Sequence, residues 1–267
     1  MLRPLVITRP QPEAAHWVAQ LQAAGQPALA LPMMQIGPCT SAAAQAAARA
    51  AQAQLDHFDA IMFVSVNAVR YFMPLLANAA QRFPAQVRAW APGPGTAQAL
   101  QQHGIPTDRI DQPRADARQF DSESLWEQVQ AQVTKNHRIL VVRGSDAEQS
   151  HAPTGKGRQW LTQQLEQAGA SVSFAPVYER QATPPSPALR QTIEDLRAQH
   201  AIWLLSSSEC TQHLINHAHG LTWQHATALA THPRIAQHAK RLGFGRVIDT
   251  KPAVQSIVSS IESLNDL

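Results

Sequence analysis

Cysteine is scarce in this chain: Cys39 and Cys210 are the only two, they stand far apart, and they form no CxxC pair. A disulfide framework and a thiolate zinc site are thereby excluded, and a reducing compartment is expected. Charge is sparse as well. Charged residues make up 15% of the chain against 44% hydrophobic ones, a balance too apolar for a disordered polypeptide. Lys and Arg number 22 against 19 acids, a formal net charge of +3. No basic block of five or six residues occurs, so nucleic acid is not expected as a partner. Long apolar runs are missing too. Residues 60–64 and 139–142 are far shorter than the roughly 20 residues of a membrane helix. The N-terminal run at 5–7 is held between Pro4 and Pro10, where a signal peptide needs its apolar segment. The expectation is a globular cytoplasmic protein without a membrane partner. Its 267 residues are enough for one large domain or two small ones.

What is present is an alternation. Short apolar or β-branched runs at 5–7, 61–64, 139–142 and 202–205 are each followed by polar or Gly/Pro punctuation and then a helical pattern. Parallel α/β units have that signature. After the first run, Trp17, Val18, Leu21 and Ala24 line one helix face, and Gly25 stands where a helix stops. The Ala/Gln-rich segment 42–53 reads as a peripheral helix with a weak apolar stripe and Ser41 as its N-cap. TPPSP at 183–187 is a break, and HAPTGKG at 151–157 reads as a loop insertion.

The chain also repeats itself. LVITR at 5–9 matches ILVVR at 139–143, the helices that follow end at Gly25 and Gly169, and the next segments align Pro32 with Pro176. AIMFVSVNAV at 60–69 pairs with AIWLLSSSEC at 201–210, setting Ser65 opposite Ser206 and Asn67 opposite Ser208. In the third match, Pro94, Ala97, Gln98 and Gly104 meet Pro233, Ala236, Gln237 and Gly243. Any one match could be chance among so many Ala, Gln and Leu residues. Three in the same order imply two similar α/β domains.

The ordered set ITRP, FVSVNAV, APGPGTAQAL, DSESLW, VVRG followed by GRQWL, and a strand ending in VYER resembles the uroporphyrinogen-III synthase family from about residue 3 to the C-terminus. Two places depart from the pattern. A loop is lengthened between Gly144 and Gly155, and a turn usually rich in hydroxyl donors reads HPRI at 232–235, with Arg234 and Ile235 in their place. The resemblance implies two parallel-sheet α/β domains joined by a two-stranded β connection. One domain would be discontinuous, 1–36 plus 181–267, and the other continuous over 37–172, with connecting strands at about 29–36 and 173–180. It implies an enzyme that closes linear hydroxymethylbilane with inversion of the last pyrrole ring and loss of water, a lyase of haem and sirohaem biosynthesis. No cofactor and no metal are expected, and the chain should act as a monomer in transient contact with the preceding pathway enzyme.

A polycarboxylate substrate needs anion partners, and strand-to-helix turns offer unpaired N–H groups and a positive dipole end. Ser65, Asn67, Gly93, Thr96, Ser206, Ser207 and Ser208 stand at such junctions, with Arg234 in the HPRI turn. Plain capping explains several of them equally well: Ser206 with Glu209 fits a capping box, and Asn67 is an ordinary N-cap residue. Arg9 and Arg143 end matching strands, where a guanidinium can grip a carboxylate or simply pair with a neighbouring acid. Tyr178 is one of two tyrosines and closes the second connecting strand. By the resemblance it is the catalytic candidate, a phenol that stays protonated at neutral pH and can donate to a departing hydroxyl. The alternative is a packed strand-end ring with a wet hydroxyl.

Other motifs fail. Ser150 and Gly157 occupy the positions where a phosphate loop around Gly155 and Lys156 needs Gly and Ser/Thr, and Gln98 replaces the third glycine of a dinucleotide fingerprint begun by Gly93 and Gly95. His213, His217 and His219 come near metal spacing but lack the HExxH glutamate. The competing readings are a non-enzymatic two-lobed anion-binding or regulatory protein of the same fold, and a partner of another tetrapyrrole enzyme.

Overall fold

The computed structural model describes residues 3–78, 82–117, 121–145 and 156–265, with the backbone alone at 77, 78, 156–159 and 265. The chain divides into two units, Met1–Ile36 with Gln181–Leu267, and Gly37–Arg180.

In the first unit β1 (Leu5–Ile7), α1 (Glu13–Ala23) and β2 (Ala28–Ala30) come from the N-terminal stretch. The C-terminal part adds α7 (Pro187–Ala198), β9 (Ile202–Leu205), α8 (Ser208–His217), β10 (Thr227–Ala230), α9 (Pro233–Arg241), β11 (Arg246–Asp249) and α10 (Val254–Asn265). The five strands lie parallel in the order β11-β10-β9-β1-β2. Because side chains alternate along a strand, each central strand feeds two cores. Ile202 and Leu204 join Leu5, Ile7, Leu21, Ile257 and Ile261 on one face. Trp203 and Leu205 join Val6, Leu214, Trp223 and Ile235 on the other. Strands buried on both faces need continuous apolar runs, which is why they were visible as such.

The second unit holds α2 (Ala42–Ala53), β4 (Ala60–Phe63), α3 (Val66–Asn78), β5 (Arg88–Trp90), α4 (Pro94–Gln102), β6 (Ile110–Asp111), α5 (Ser122–Val129), β7 (Arg138–Gly144) and α6 (Lys156–Gln167). Two strands cross the unit boundary within the chain, β3 (Met34–Pro38) and β8 (Ser171–Ala182). The six-stranded sheet runs β3-β8-β7-β4-β5-β6, with parallel pairing at β7/β8, β4/β7, β4/β5 and β5/β6. Its run β8-β7-β4-β5-β6 repeats the order β2-β1-β9-β10-β11 of the first unit, so the internal matches fall on equivalent strands. Gly25 and Gly169 both stand at positive φ, +81° and +86°, just past α1 and α6, a conformation that costs glycine nothing.

Several local readings are corrected. The segment read as one strand over 29–36 is two, β2 and β3, interrupted around Pro32. Residues 173–180 fall within a twelve-residue strand, β8, which runs two residues further each way and carries Tyr178 and Glu179 near its carboxyl end. Its Pro176 is tolerated because the β7/β8 register slips between Arg143 and Gly144, which face Pro176 and Tyr178. Ser41 does cap α2, but its hydroxyl makes no cap bond, and Ala44, Ala48 and Ala51 form the buried stripe. Of the loop read over 151–157, Lys156 and Gly157 already belong to α6, and 146–155 lie outside the described residues.

Two imidazoles of the first unit make its stability depend on pH. Burial pushes His217 below its ordinary 6.5, with His213 adding to the effect. Burial likewise lowers His238, with Arg241 adding. Both Nε2 atoms are buried and have no hydrogen-bond partner among the described residues. The folded protein therefore keeps these rings neutral where the unfolded chain already binds protons. Their contribution is complete above about pH 6.5 and is lost progressively as pH falls below it. Urea unfolding between about pH 5 and 8 should show that decline, and His238→Gln should flatten it. An unchanged slope in the variant would refute the assignment.

Candidate functional site

In open parallel sheets ligands gather beyond the carboxyl ends of the strands, where the strand order reverses. In the first unit that point lies between β1 and β9. Arg9 leaves the end of β1, and its Nε donates to Ser206 Oγ beyond β9 at 2.8 Å. Its Nη1 meets Glu13 at 3.3 Å, and the guanidinium lies 5.4 Å from the Trp17 ring centroid. The neighbouring-acid reading of Arg9 is thus realised together with a role at the strand end. A half-exposed i,i+4 pair of this kind holds the side chain in place without neutralising it fully.

Ser207, not Ser206, is the N-cap of α8: its hydroxyl accepts from Cys210 N–H at 3.3 Å. The expected capping box is therefore not formed: with Ser207 as N-cap, Cys210 and not Glu209 takes the third helical position, and Ser206 Oγ is taken by Arg9. Ser208 opens the helix. At α9 the lost hydroxyl is replaced by neither Arg234 nor Ile235. His232 is the N-cap, and its Nδ1 accepts from Arg234 N–H at 3.1 Å. Ile235 is buried in the core and the Arg234 side chain is exposed.

The corresponding point in the second unit lies between β7 and β4. Ser65 follows β4, and its Oγ accepts from Ala68 N–H at 3.2 Å, so Ser65 caps α3. Asn67, read as the N-cap, sits inside the first turn and accepts from Arg70 at 3.2 Å. Tyr178 reaches the same serine, its hydroxyl 3.2 Å from Ser65 Oγ. The phenol is enclosed at 1% exposure, so the wet-hydroxyl alternative does not hold. Its ring stacks on Tyr71 at 6.1 Å and lies against Gly144, where an added Cβ would come within 2.8 Å of Cε2. The register slip before Tyr178 turns the ring onto that glycine.

Gly93 caps α4 in extended backbone, and the buried Thr96 donates its N–H to Gly93 C=O at 3.1 Å. A Cβ on Gly95 would lie 3.8 Å from Val66 Cγ2, so the first turns of α3 and α4 adjoin. Arg143 donates from Nε to Gly144 C=O at 3.2 Å and covers the Phe174 ring at 5.5 Å.

The sequence reading did not single out Gly144, Tyr71, Trp17 or Glu13 as site neighbours; of these only Glu13 carried a signal, its i,i+4 spacing from Arg9. Among the described residues no group of three or more His, Cys, Asp or Glu side chains could hold a metal ion. His213 instead approaches Glu209 at 3.9 Å, and the backbone of Thr183 engages His217. A cavity of about 650 Å³ lined by Asp59, Arg88, Trp90 and His137 opens at the other, amino-terminal end of the second sheet. The polar side chains of Arg9, Ser206, Ser65 and Tyr178 stand at the opposite, carboxyl ends of the strands.

Comparison with known proteins bears on family and fold. The family model described as uroporphyrinogen-III synthase HemD matches residues 15–259. The uroporphyrinogen-III synthase of Synechococcus elongatus is 32% identical over 183 residues, 66% of this chain and 60% of that one. That of Chlorobaculum parvum is 27% identical over 147 residues, 54% of each. The chain thus matches only about half to three-fifths of the length of these relatives. Among solved structures, the uroporphyrinogen-III synthetase of Helicobacter pylori gives a TM-score of 0.59 at 15% identity, covering 98% of this chain and 100% of that one. A mutant uroporphyrinogen III synthase of Thermus thermophilus gives 0.58 at 15% identity, covering 99% and 100%. At such identity the structures speak for the fold, and the sequence match over most of the length speaks for descent: the chain belongs to the uroporphyrinogen-III synthase family.

Proposed function

We propose that this chain closes linear hydroxymethylbilane to uroporphyrinogen III, inverting the last pyrrole ring and releasing water, as a cofactor-free hydro-lyase of tetrapyrrole biosynthesis. It acts in the cytoplasm as a monomer, in passing contact with the enzyme that makes its unstable substrate. Among the described residues no helix is long and apolar enough to cross a membrane.

The observation that carries this reading is the Tyr178–Ser65 pair at the amino end of α3. A hydroxyl accepts two hydrogen bonds and donates one. Either hydroxyl can donate in the Tyr178–Ser65 contact; in the direction this reading assigns, Ala68 N–H and the Tyr178 hydroxyl both donate to Ser65, which keeps its own hydrogen for a third partner. Ser65 is half-buried where Tyr178 is enclosed, so Ser65 faces the substrate and Tyr178 stands behind it. The electron-rich pyrrole drives cleavage of the hydroxymethyl C–O bond. The leaving hydroxide takes the Ser65 proton and departs as water, and Tyr178 restores that proton. The carbon so freed bonds to the terminal ring at the ring carbon that already carries its methylene bridge; that bridge bond breaks and re-forms at the ring's free α-carbon, which inverts the ring, and the proton displaced there returns the pair to its starting state. Carboxylate binding is assigned unit by unit: to Arg9 with the amino ends of α8 and α9 in the first, and to Arg143 with the amino ends of α3 and α4 in the second.

The test is whether purified protein diverts hydroxymethylbilane from spontaneous closure, which yields the uninverted isomer, to the type III product. Binding of product without diversion would favour the anion-binding alternative. Within this reading Arg9→Ala should raise KM about tenfold with kcat little changed. A hydrogen bond to a charged group is worth about 1.5–3 kcal/mol, and solvent exposure puts Arg9 at the low end. A lowered kcat at unchanged KM would remove Arg9 from substrate binding.

A further inference from the structure

Glu179 directly follows Tyr178 in β8, and its carboxylate is enclosed at 8% exposure. Its two oxygens take both donors of Thr40, the backbone N–H at 3.2 Å and the hydroxyl at 2.9 Å. Thr40 stands just before Ser41, the N-cap of α2, whose hydroxyl makes no cap bond and whose helix has no acid in its first turn. Glu179 thereby brings negative charge to the positive end of α2 from another strand. A carboxylate only accepts, so both Thr40 donors are satisfied, whereas an amide would turn N–H groups toward one of them.

The same end of β8 is gripped again by Ser145, whose N–H donates to Tyr178 C=O at 2.6 Å. Cys39 closes the cluster. Its thiol is pushed up by burial and by the Glu179 carboxylate, against a hydrogen bond with the Ser145 backbone. Neighbouring side chains on a strand point to opposite faces. The strand end is thus clamped through Glu179 on one face while the Tyr178 ring rests on Gly144 on the other.

We propose that Glu179 is a positioning residue for the Tyr178–Ser65 pair, its carboxylate locked by Thr40 so that the end of β8 presents the Tyr178 hydroxyl to Ser65. This rests on the catalytic reading of that pair and deepens it. The chain has only two tyrosines, so a sample labelled with ¹³C at tyrosine Cζ gives two signals, and Tyr178→Phe assigns them. In the full chain Glu179→Ala should move the Tyr178 signal and lower kcat about 10- to 100-fold, with KM within about twofold, as misplacement of a reacting group does. Glu179→Gln should recover part of both losses. Thr40→Val, which removes only the hydroxyl bond, should move the signal in the same direction by less, and it decides the matter if Glu179→Ala does not fold. The proposal is overturned by an unmoved signal, by a moved signal with unchanged kcat, or by a kcat loss that merely follows a lower Tm. Absence of turnover in the unsubstituted chain would instead sink the functional reading, and the tyrosine signal would still report on the clamp.

Discussion

Tyr178→Phe is expected to lower kcat for the type III product about 10- to 100-fold while leaving product affinity nearly unchanged. General acid help is worth about 10² to 10⁴ in rate, and a substrate whose pyrrole nitrogen already expels hydroxide needs the lower end or less. The ring should stay in place, because its contacts with Tyr71 and Gly144 do not involve the hydroxyl. Ser65 retains the Ala68 N–H bond. Stability should therefore drop by only about 1 kcal/mol, the usual net worth of one internal hydrogen bond. In the proposed mechanism Tyr178 acts through Ser65, so the two substitutions should not add: Ser65→Ala with Tyr178→Phe should turn over no more slowly than Ser65→Ala alone. Steady-state kinetics with isomer analysis, beside urea melts, checks all three statements. Full kcat in Tyr178→Phe would end the proposed role of the phenol, as would additive losses in the double variant.

Gly144→Ala should cost both stability and turnover, although it adds a single methyl group. That methyl would stand 2.8 Å from Cε2 and 2.9 Å from Cζ of Tyr178, closer than carbon atoms approach without something shifting. The glycine belongs to a strand held by β4 on one side and β8 on the other, so the backbone resists. The ring is buried and backed by Tyr71, so it has little room either. Overpacking of this kind costs about 1–3 kcal/mol. Whichever side yields, the phenol leaves its 3.2 Å contact with Ser65, and kcat should fall at least as far as in Tyr178→Phe. Equal stability and equal turnover in Gly144→Ala would show that the ring is not held as described.

The strands at 5–7 and 202–205 were legible to the residue. Those read at 61–64 and 139–142 came within one or two residues, as 60–63 and 138–144. Burial on both faces writes such strands as unbroken apolar runs, and no long-range knowledge is needed to see them. Caps were less legible. Asn67 and Ser206 looked like N-caps, yet Ser65 and Ser207 fill those places. Any of several adjacent hydroxyls satisfies the local rule, and the choice falls to whichever is not claimed elsewhere. Ser206 is claimed by Arg9, 197 positions away. His232 as a cap left no trace at all, since imidazole is not among the residues that cap by habit.

By itself the sequence determined the class of the fold, the duplication, the family resemblance, and which strand ends carry hydroxyls and arginines, because periodicity, punctuation and self-similarity are local or repeat at fixed intervals. Tertiary structure alone decided where those groups are placed and what they touch. The pairing of β8 with β7, one register slip included, lays Tyr178 on Gly144 and aims it at Ser65, 113 positions earlier in the chain. The approach of Thr40 to Glu179, 139 positions apart, turns an acid that reads as an unremarkable strand end into a buried anchor. Contacts of that separation arise only when strands distant in the chain are brought side by side, and a slip of one residue reverses which side chains face the site.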